Sequence, residues 1–152
     1  MKDLVKVAMK IAKKAHKEQF RNDGKTPFVS HPIAVMENLK KEIQGIKWYD
    51  KNTPTILFCA SLLHDVLEDT KITSKELAKK GIPKAVIDLI ETLTHEKDES
   101  YINYILRIRK NRGDSFARTI KIEDIKHNLS TLEPWKKDKR DKYMLALYLL
   151  EN

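Results

Sequence analysis

Apolar residues recur at three- and four-residue steps along most of this sequence, a period that predicts helices with one buried face each. The pattern predicts eight helices, at residues 3–19, 30–43, 53–68, 73–81, 83–93, 101–108, 116–132 and 134–150. No repeat, low-complexity run or linker interrupts this series. Residues 1–152 are therefore expected to form one all-α domain, a helical bundle.

Local residue types predict how some of these helices begin and how they are connected. Ser30 is expected to cap the second helix, because its hydroxyl can accept a hydrogen bond from a free N–H group. Thr73 and Glu76 have the spacing of a capping box at the start of the fourth helix. Tyr49 is expected to pack over the connection before the third helix, and residues 111–113 are expected to form a turn.

The third predicted helix, residues 53–68, is apolar nearly all round and should be the central, buried one. Its end is polar, with His64 and Asp65 followed by the acidic pair Glu68 and Asp69. A folded interior tolerates such a group of side chains only if something satisfies them, and a divalent metal is the simplest candidate. Glu68 follows His64 by one helical turn, so the acidic pair is expected near the same site.

Two further residues complete a candidate metal site with His64 and Asp65. His31 opens the second helix, and Asp124 lies in the otherwise apolar seventh helix. Two imidazoles and two carboxylates suit Mn²⁺, Fe²⁺, Zn²⁺ or Mg²⁺ and leave positions open for water and phosphate oxygen. The metal could lower the pKa of a bound water and neutralise a phosphate. The acidic pair could then position that water and accept its proton.

Composition and charge narrow the class of protein. The 152 residues are 41% hydrophobic and 34% charged, the balance of a globular protein, and the net charge of +8 favours an anionic partner. The single cysteine, Cys59, permits no intramolecular disulfide, which fits a reducing compartment. No apolar run approaches the ~20 residues of a membrane span, and the N-terminus lacks a signal-peptide core. A cytoplasmic location with no membrane partner is expected.

The ordered series of His31, His64-Asp65 and Asp124 resembles the ligand set of the HD superfamily of metal-dependent phosphohydrolases. Four blocks of sequence narrow the match. They are HKEQFR at 16–21, GKTPFVSHP at 24–32, LLHDVLEDT at 62–70 and IKIEDIKHNL at 120–129. This series resembles the hydrolase domain of RelA/SpoT-type alarmone enzymes, especially their small hydrolase-only members, over about residues 5–148.

The resemblance implies a bundle of the HD-domain type that binds one divalent metal ion, usually Mn²⁺, through His31, His64, Asp65 and Asp124. It implies that the acidic pair is needed for hydrolysis of ppGpp or pppGpp at the 3′-pyrophosphate, giving GDP or GTP and pyrophosphate. The expected substrate is therefore an anionic guanine nucleotide. The chain is expected to be an enzyme of the stringent response.

The resemblance also implies residues that contact the nucleotide. By motif position, Arg21 resembles the residue that lies against the guanine base, and Asn128 resembles the ribose contact. Lys97, Tyr143 and the basic start of the last helix at Lys139 stand where the family reaches the nucleotide and its phosphates.

Some positions depart from the family pattern and concern the substrate rather than the metal. Asn22 replaces a common lysine and Phe28 replaces a common tyrosine, so a basic group and a hydroxyl are lost. Residues 98–113 are unlike the better-known alarmone hydrolases. The other three histidines, at positions 16, 95 and 127, are expected to be structural or exposed rather than ligands.

Three alternatives remain open at this point. The same metal site could cleave another nucleotide phosphate, such as a nicotinamide dinucleotide phosphate or a mononucleotide. The chain could be a nucleotide-binding module without turnover, although the intact acidic pair argues against this. Nucleic-acid binding has only the net charge in its favour and would show a steep salt dependence. The sequence leaves the oligomeric state open.

Overall fold

Nine helices make up the regular secondary structure of the residues that the computed structural model describes, which are 2–48, 50–110 and 115–152. They are α1 (Lys2–Ala15), α2 (Ser30–Glu42), α3 (Thr53–Leu63), α4 (Val66–Asp69), α5 (Ser74–Lys79), α6 (Lys84–Leu93), α7 (Tyr101–Lys110), α8 (Ser115–Ser130) and α9 (Lys137–Glu151). The predicted all-α class is confirmed. The predictions for Tyr49 and for residues 111–113 lie outside the described residues.

The predicted third helix is not continuous, because a turn at His64 and Asp65 separates α3 from α4. The Ser61 carbonyl accepts a hydrogen bond from the His64 ring at 2.7 Å. Asp65 has φ −93° and ψ −6°, at the edge of helical geometry, and its carbonyl accepts from the Asp69 N–H at 2.9 Å. The division places the metal-site candidates at the joint and the acidic pair on α4.

Of the caps predicted for the second and fourth helices, one is present. The capping box of Thr73 and Glu76 is confirmed, with both reciprocal hydrogen bonds formed. The Ser30 cap was wrong, because α2 already includes Ser30 and is preceded by Val29 in helical geometry without a side-chain cap. The N–H groups of Ser30 and His31 bond the carbonyls of Pro27 and Phe28 instead, so backbone groups satisfy this end of the helix.

The hydrophobic core surrounds α3, as its sequence predicted. Most of α3 is buried, including Leu57, Cys59 and Leu62, and the helix contacts α1, α2, α6 and α8. The start of α2, the end of α3 and the middle of α8 therefore meet inside the bundle. Among the described residues, no helix combines the length and the apolar character needed to cross a bilayer.

Candidate active site

The start of α2, the joint between α3 and α4, and α8 bring the four predicted ligand residues together. His31 Nε2 lies 2.8 Å from Asp124 Oδ1 and 3.6 Å from Asp65 Oδ2. His64 Nε2 lies 3.2 Å from Asp65 Oδ2 and 3.6 Å from Asp124 Oδ1. Both histidines and Asp124 are almost completely buried, whereas Asp65 is partly open to solvent. The cluster thus lies at the bottom of an opening to the surface.

The ring of His64 provides a test of whether a cation fits this cluster. Because the Ser61 carbonyl can only accept a hydrogen bond, His64 Nδ1 is the protonated nitrogen. His64 Nε2 is buried and has no hydrogen-bond partner in the described part of the chain. Burial opposes charge on this ring, but Asp65 and Asp124 raise the pKa of His64 to about 9. The carboxylates therefore favour positive charge at Nε2, which a proton supplies in the metal-free protein and which a bound cation would supply in its place.

The distances between the candidate ligand atoms also fit a bound cation. His31, His64 and Asp65 each offer one ligand atom, and these atoms lie within 4.8 Å of one another. Asp124 Oδ1 also lies within 3.6 Å of Nε2 of both histidines. The donor set of imidazole nitrogen and carboxylate oxygen can hold a divalent metal ion.

Asp124 is fixed by two neighbours on its own helix. The buried ammonium of Lys121 lies 2.6 Å from Asp124 Oδ2, and Asn128 Nδ2 donates to Oδ1 at 2.8 Å. Burial would raise the pKa of Asp124, but Lys121 and the two histidines hold it well below its usual range. The carboxylate therefore stays ionised and presents Oδ1 to the cluster.

The acidic pair lies on α4, beside the cluster. Partial desolvation, together with the charges of Asp65 and Glu68, raises the pKa of Asp69 to about 6. The Asp69 carbonyl accepts a hydrogen bond from Gln19 Nε2 at 2.8 Å, and Glu68 Oε2 accepts from the His95 N–H at 3.1 Å. Each residue of the pair is thus connected to another part of the chain, and Asp69 can exchange a proton near neutral pH.

A cavity of about 400 Å³ opens over the cluster and the acidic pair. Its wall includes the predicted substrate contacts Arg21, Asn128 and Tyr143. Lys97 is exposed and is not among the residues that line this cavity. One wall of the cavity is basic and aromatic and is formed by Tyr101, Tyr104, Lys121, Lys139 and Lys142. Of these residues, the sequence indicated only Lys139.

Arg21 and Asn128 are in direct contact across the cavity wall. Arg21 Nη2 donates to Asn128 Oδ1 at 3.0 Å and to Thr131 Oγ1 at 2.9 Å. Since Asn128 also donates to Asp124, a chain of hydrogen bonds joins Arg21 to a predicted metal ligand. The guanidinium plane is therefore held at the rim of the cavity, 6.0 Å from the centre of the Phe28 ring.

The sequence did not indicate Lys121 and Lys142 as residues of the site. Lys121 lies three residues before Asp124 on the same helix, and this spacing for an i,i+3 ion pair was the available signal. Lys142 lies 4.2 Å from the centre of the Tyr101 ring, across two helices. No local pattern marks that contact, because it depends on the packing of α7 against α9.

Several known proteins are similar to this chain over most of its length. No protein-family model matches the sequence. The guanosine-3′,5′-bis(diphosphate) 3′-pyrophosphohydrolase of Borreliella burgdorferi is 33% identical over 145 residues, covering 89% of this chain and 20% of that protein. A protein of the same name from Xenopus tropicalis, MESH1, is 36% identical over 95 residues, covering 62% of this chain and 49% of that protein. The chain spans about a fifth of the length of the relatives from Borreliella burgdorferi and Haemophilus influenzae.

A solved structure is similar over nearly the whole chain. It is described as a metazoan ortholog of SpoT that hydrolyzes ppGpp and plays a role in starvation responses. The TM-score is 0.75 at 25% identity, covering 97% of this chain and 83% of that chain. The all-α fold with a His-Asp pair at the end of a buried helix defines the class, an HD-type domain. Within that class, the resemblance to RelA/SpoT-type hydrolase domains, especially the small hydrolase-only members, is confirmed by these matches.

Proposed function

We propose that this chain is a metal-dependent phosphohydrolase that removes the 3′-pyrophosphate of ppGpp or pppGpp, giving GDP or GTP and pyrophosphate. The main support is the clustering of four candidate ligands, three of which line one cavity together with the acidic pair. Similarity to proteins named as ppGpp pyrophosphohydrolases supports the choice of substrate. In this proposal residues 1–152 act as one hydrolase domain, since a common core includes residues from α1 to α9.

We propose His31, His64, Asp65 and Asp124 as the ligands of a single Mn²⁺ ion. Two nitrogen and two oxygen donors without a thiolate suit this metal. When bound, the ion supplies a Lewis acid that lowers the pKa of a coordinated water and offsets phosphate charge. Lys121 neutralises the remote oxygen of Asp124, so Oδ1 is the oxygen directed at the site.

The acidic pair handles the proton in this reaction. Asp69, whose pKa is raised to about 6 in the metal-free site, accepts a proton from the attacking water and can return it to the leaving oxygen. Glu68 is fixed through Oε2 by the His95 N–H and orients the same water with its other oxygen. The pair therefore organises the nucleophile, whereas the four ligand residues bind the metal.

The cavity wall fits an anionic nucleotide. Arg21 offers a flat guanidinium for the guanine base, and Asn128 beside it is placed for the ribose. Tyr143, Lys139 and Lys142 face the cavity from α9, where cations can bind the phosphates. Lys97 stays a prediction as a substrate contact, which a KM measurement on Lys97→Ala would test.

The decisive experiment incubates the purified protein, loaded with Mn²⁺, with ppGpp and separates the products by anion exchange. We expect equimolar GDP and pyrophosphate. Intact ppGpp in the presence of folded, metal-loaded protein would reject the proposed substrate. A parallel panel of a nicotinamide dinucleotide phosphate and simple mononucleotides tests the alternative substrates, which the cavity positions of Asn22 and Phe28 motivate.

Two variants separate the proposed roles of metal binding and proton transfer. Asp65→Ala should lose both metal and turnover, because a candidate ligand is removed. Glu68→Gln should bind metal like the wild type and lose turnover, because the amide keeps the shape of the side chain without its charge. Turnover by metal-loaded Glu68→Gln at the wild-type rate would reject the role of Glu68.

A further inference from the structure

One arginine on α7 closes the segment of residues 94–100, which connects α6 to α7. Arg107 Nε and Nη2 donate to the two carboxylate oxygens of Glu99, both at 2.8 Å. Arg107 Nη1 and Nη2 also donate, each at 3.0 Å, to the carbonyls of Thr92 and Thr94 at the end of α6. The guanidinium thus joins both ends of segment 94–100, a two-pronged arrangement that lysine cannot make.

The closed segment presents a backbone N–H to the acidic pair. The His95 N–H donates to Glu68 Oε2 at 3.1 Å. The His95 ring stacks on Tyr104 with its centre 4.8 Å away, and its Nε2 donates to the Glu99 carbonyl at 2.7 Å. The Tyr104 hydroxyl donates to the Leu93 carbonyl. The orientation of His95 is therefore set by contacts of the same segment that Arg107 closes.

We propose that Arg107 is a positioning residue for Glu68, which it holds in place through segment 94–100 and the His95 N–H. This inference rests on the proposed function, because it gives Glu68 a part in turnover. Arg107 does not line the cavity over the candidate metal site, so it acts through the segment rather than on the substrate. Arg107 also lies within residues 98–113, where the sequence departs from the better-known alarmone hydrolases.

The ion pair between Arg107 and Glu99 is partly shielded from solvent, which strengthens it. Glu99 is largely buried and Arg107 about one-third exposed. The hydrogen bonds from Arg107 hold the pKa of Glu99 below its usual value. A bidentate arginine–carboxylate pair with two further bonds to carbonyls fixes geometry better than a single exposed ion pair does.

Amide hydrogen exchange on the full-length, metal-free protein tests the positioning without any substrate. In Arg107→Leu the exchange rate of the His95 amide should rise at least tenfold, and Glu68→Ala should raise it by removing the acceptor. Arg109→Leu, on an exposed position of the same helix, is the matched control and should leave the rate unchanged. Wild-type protection of His95 in Arg107→Leu would overturn the inference. Should Arg107→Leu not fold, Glu99→Ala removes both oxygens that accept from Arg107 and gives the same two outcomes.

Kinetics and metal titration separate this inference from the proposed function. Arg107→Leu should bind Mn²⁺ like the wild type, because the candidate ligands lie on other elements. Its kcat should fall roughly tenfold to hundredfold with little change in KM, the effect of a misplaced catalytic group. Arg107→Lys should recover only part of kcat. An unchanged kcat in Arg107→Leu, with an active wild type, overturns the role of Arg107 alone, whereas an inactive wild type overturns the proposed function and leaves the exchange result standing.

Discussion

The Nδ1 atoms of His31 and His127 lie 2.7 Å apart, so one of these rings donates a hydrogen bond to the other. Burial and the neighbouring His31 and Arg21 lower the pKa of His127 to about 4, which keeps its ring neutral near pH 7. If His31 Nε2 binds the metal, His31 Nδ1 must be the donor and His127 Nδ1 the acceptor. His127 would then fix the tautomer of a ligand.

This relationship predicts the effect of replacing His127. In His127→Leu the affinity for Mn²⁺ should fall by about tenfold to hundredfold, since the acceptor for His31 is lost. In His127→Asn the side-chain oxygen can take the place of Nδ1, so most of the affinity should return. Calorimetric titration of the metal-free proteins measures both. Equal affinities in wild type and His127→Leu would contradict the assignment.

Replacing Arg21 should separate nucleotide recognition from metal binding. Arg21→Ala should raise KM for ppGpp by about tenfold to hundredfold, the loss expected for hydrogen bonds of a charged group. Its metal affinity should stay unchanged, because Arg21 contacts Asp124 only through Asn128. Steady-state kinetics at saturating Mn²⁺ make the measurement. The matched control is Thr131→Val, which removes another acceptor of Arg21 and should alter KM much less.

The raised pKa of Asp69 predicts a pH-dependent effect on stability. Its pKa is about 6 in the fold against a usual 3.8, so the ionised side chain destabilises the metal-free protein above pH 6. Asp69→Asn should therefore melt at a higher temperature than the wild type at pH 7.5. This difference should shrink as the pH falls through 6 and vanish below 3.8, where the aspartate is protonated in both states.

Thermal unfolding of both proteins in the presence of EDTA, over a series of pH values, measures this effect. The control is Asp88, an exposed aspartate that forms an ion pair with Lys84. Asp88→Asn should give no comparable gain in melting temperature at pH 7.5. A melting difference between Asp69→Asn and wild type that is independent of pH would show that Asp69 titrates normally.

The central position of α3 predicts a large loss of stability when its core is truncated. Leu57 is 1% exposed, and Leu57→Ala should lower the free energy of unfolding by about 2–5 kcal/mol. Leu145, on α9, is 53% exposed, and Leu145→Ala should change it by less than about 0.5 kcal/mol. Urea denaturation compares the two variants. Similar losses in both would mean that α3 is not the centre of the core.

Local sequence patterns account for most of the fold and for little of the cavity wall. The capping box of Thr73 could be predicted because both partners lie within one helical turn. The break after Leu63 was not predicted, although the contact behind it, from the His64 ring to the Ser61 carbonyl, also spans only three residues. Helix α1 ends at Ala15, short of the predicted end at residue 19. A turn comes next, in which the His16 ring and the Gln19 side chain form a hydrogen bond.

The candidate site likewise contains residues that the sequence indicated and residues that only the fold reveals. His31, His64 and Asp124 stood out because polar groups at otherwise apolar positions require partners. Lys121 did not stand out, although it is buried against Asp124 and lies 4.9 Å from the centre of the Tyr104 ring. That environment exists only after α7 packs on α8, so it belongs to tertiary structure rather than to any stretch of sequence.

The joint between α3 and α4 supplies two candidate ligands and both members of the acidic pair from the single stretch 64–69. One inserted or deleted residue there would turn Glu68 and Asp69 away from His64 and Asp65. Natural variation in length should therefore be absent from this joint, even where surface connections elsewhere in the bundle grow or shrink. The two candidate ligands and the acidic pair therefore keep a fixed spacing, and evolution can alter one without the other only by point substitution.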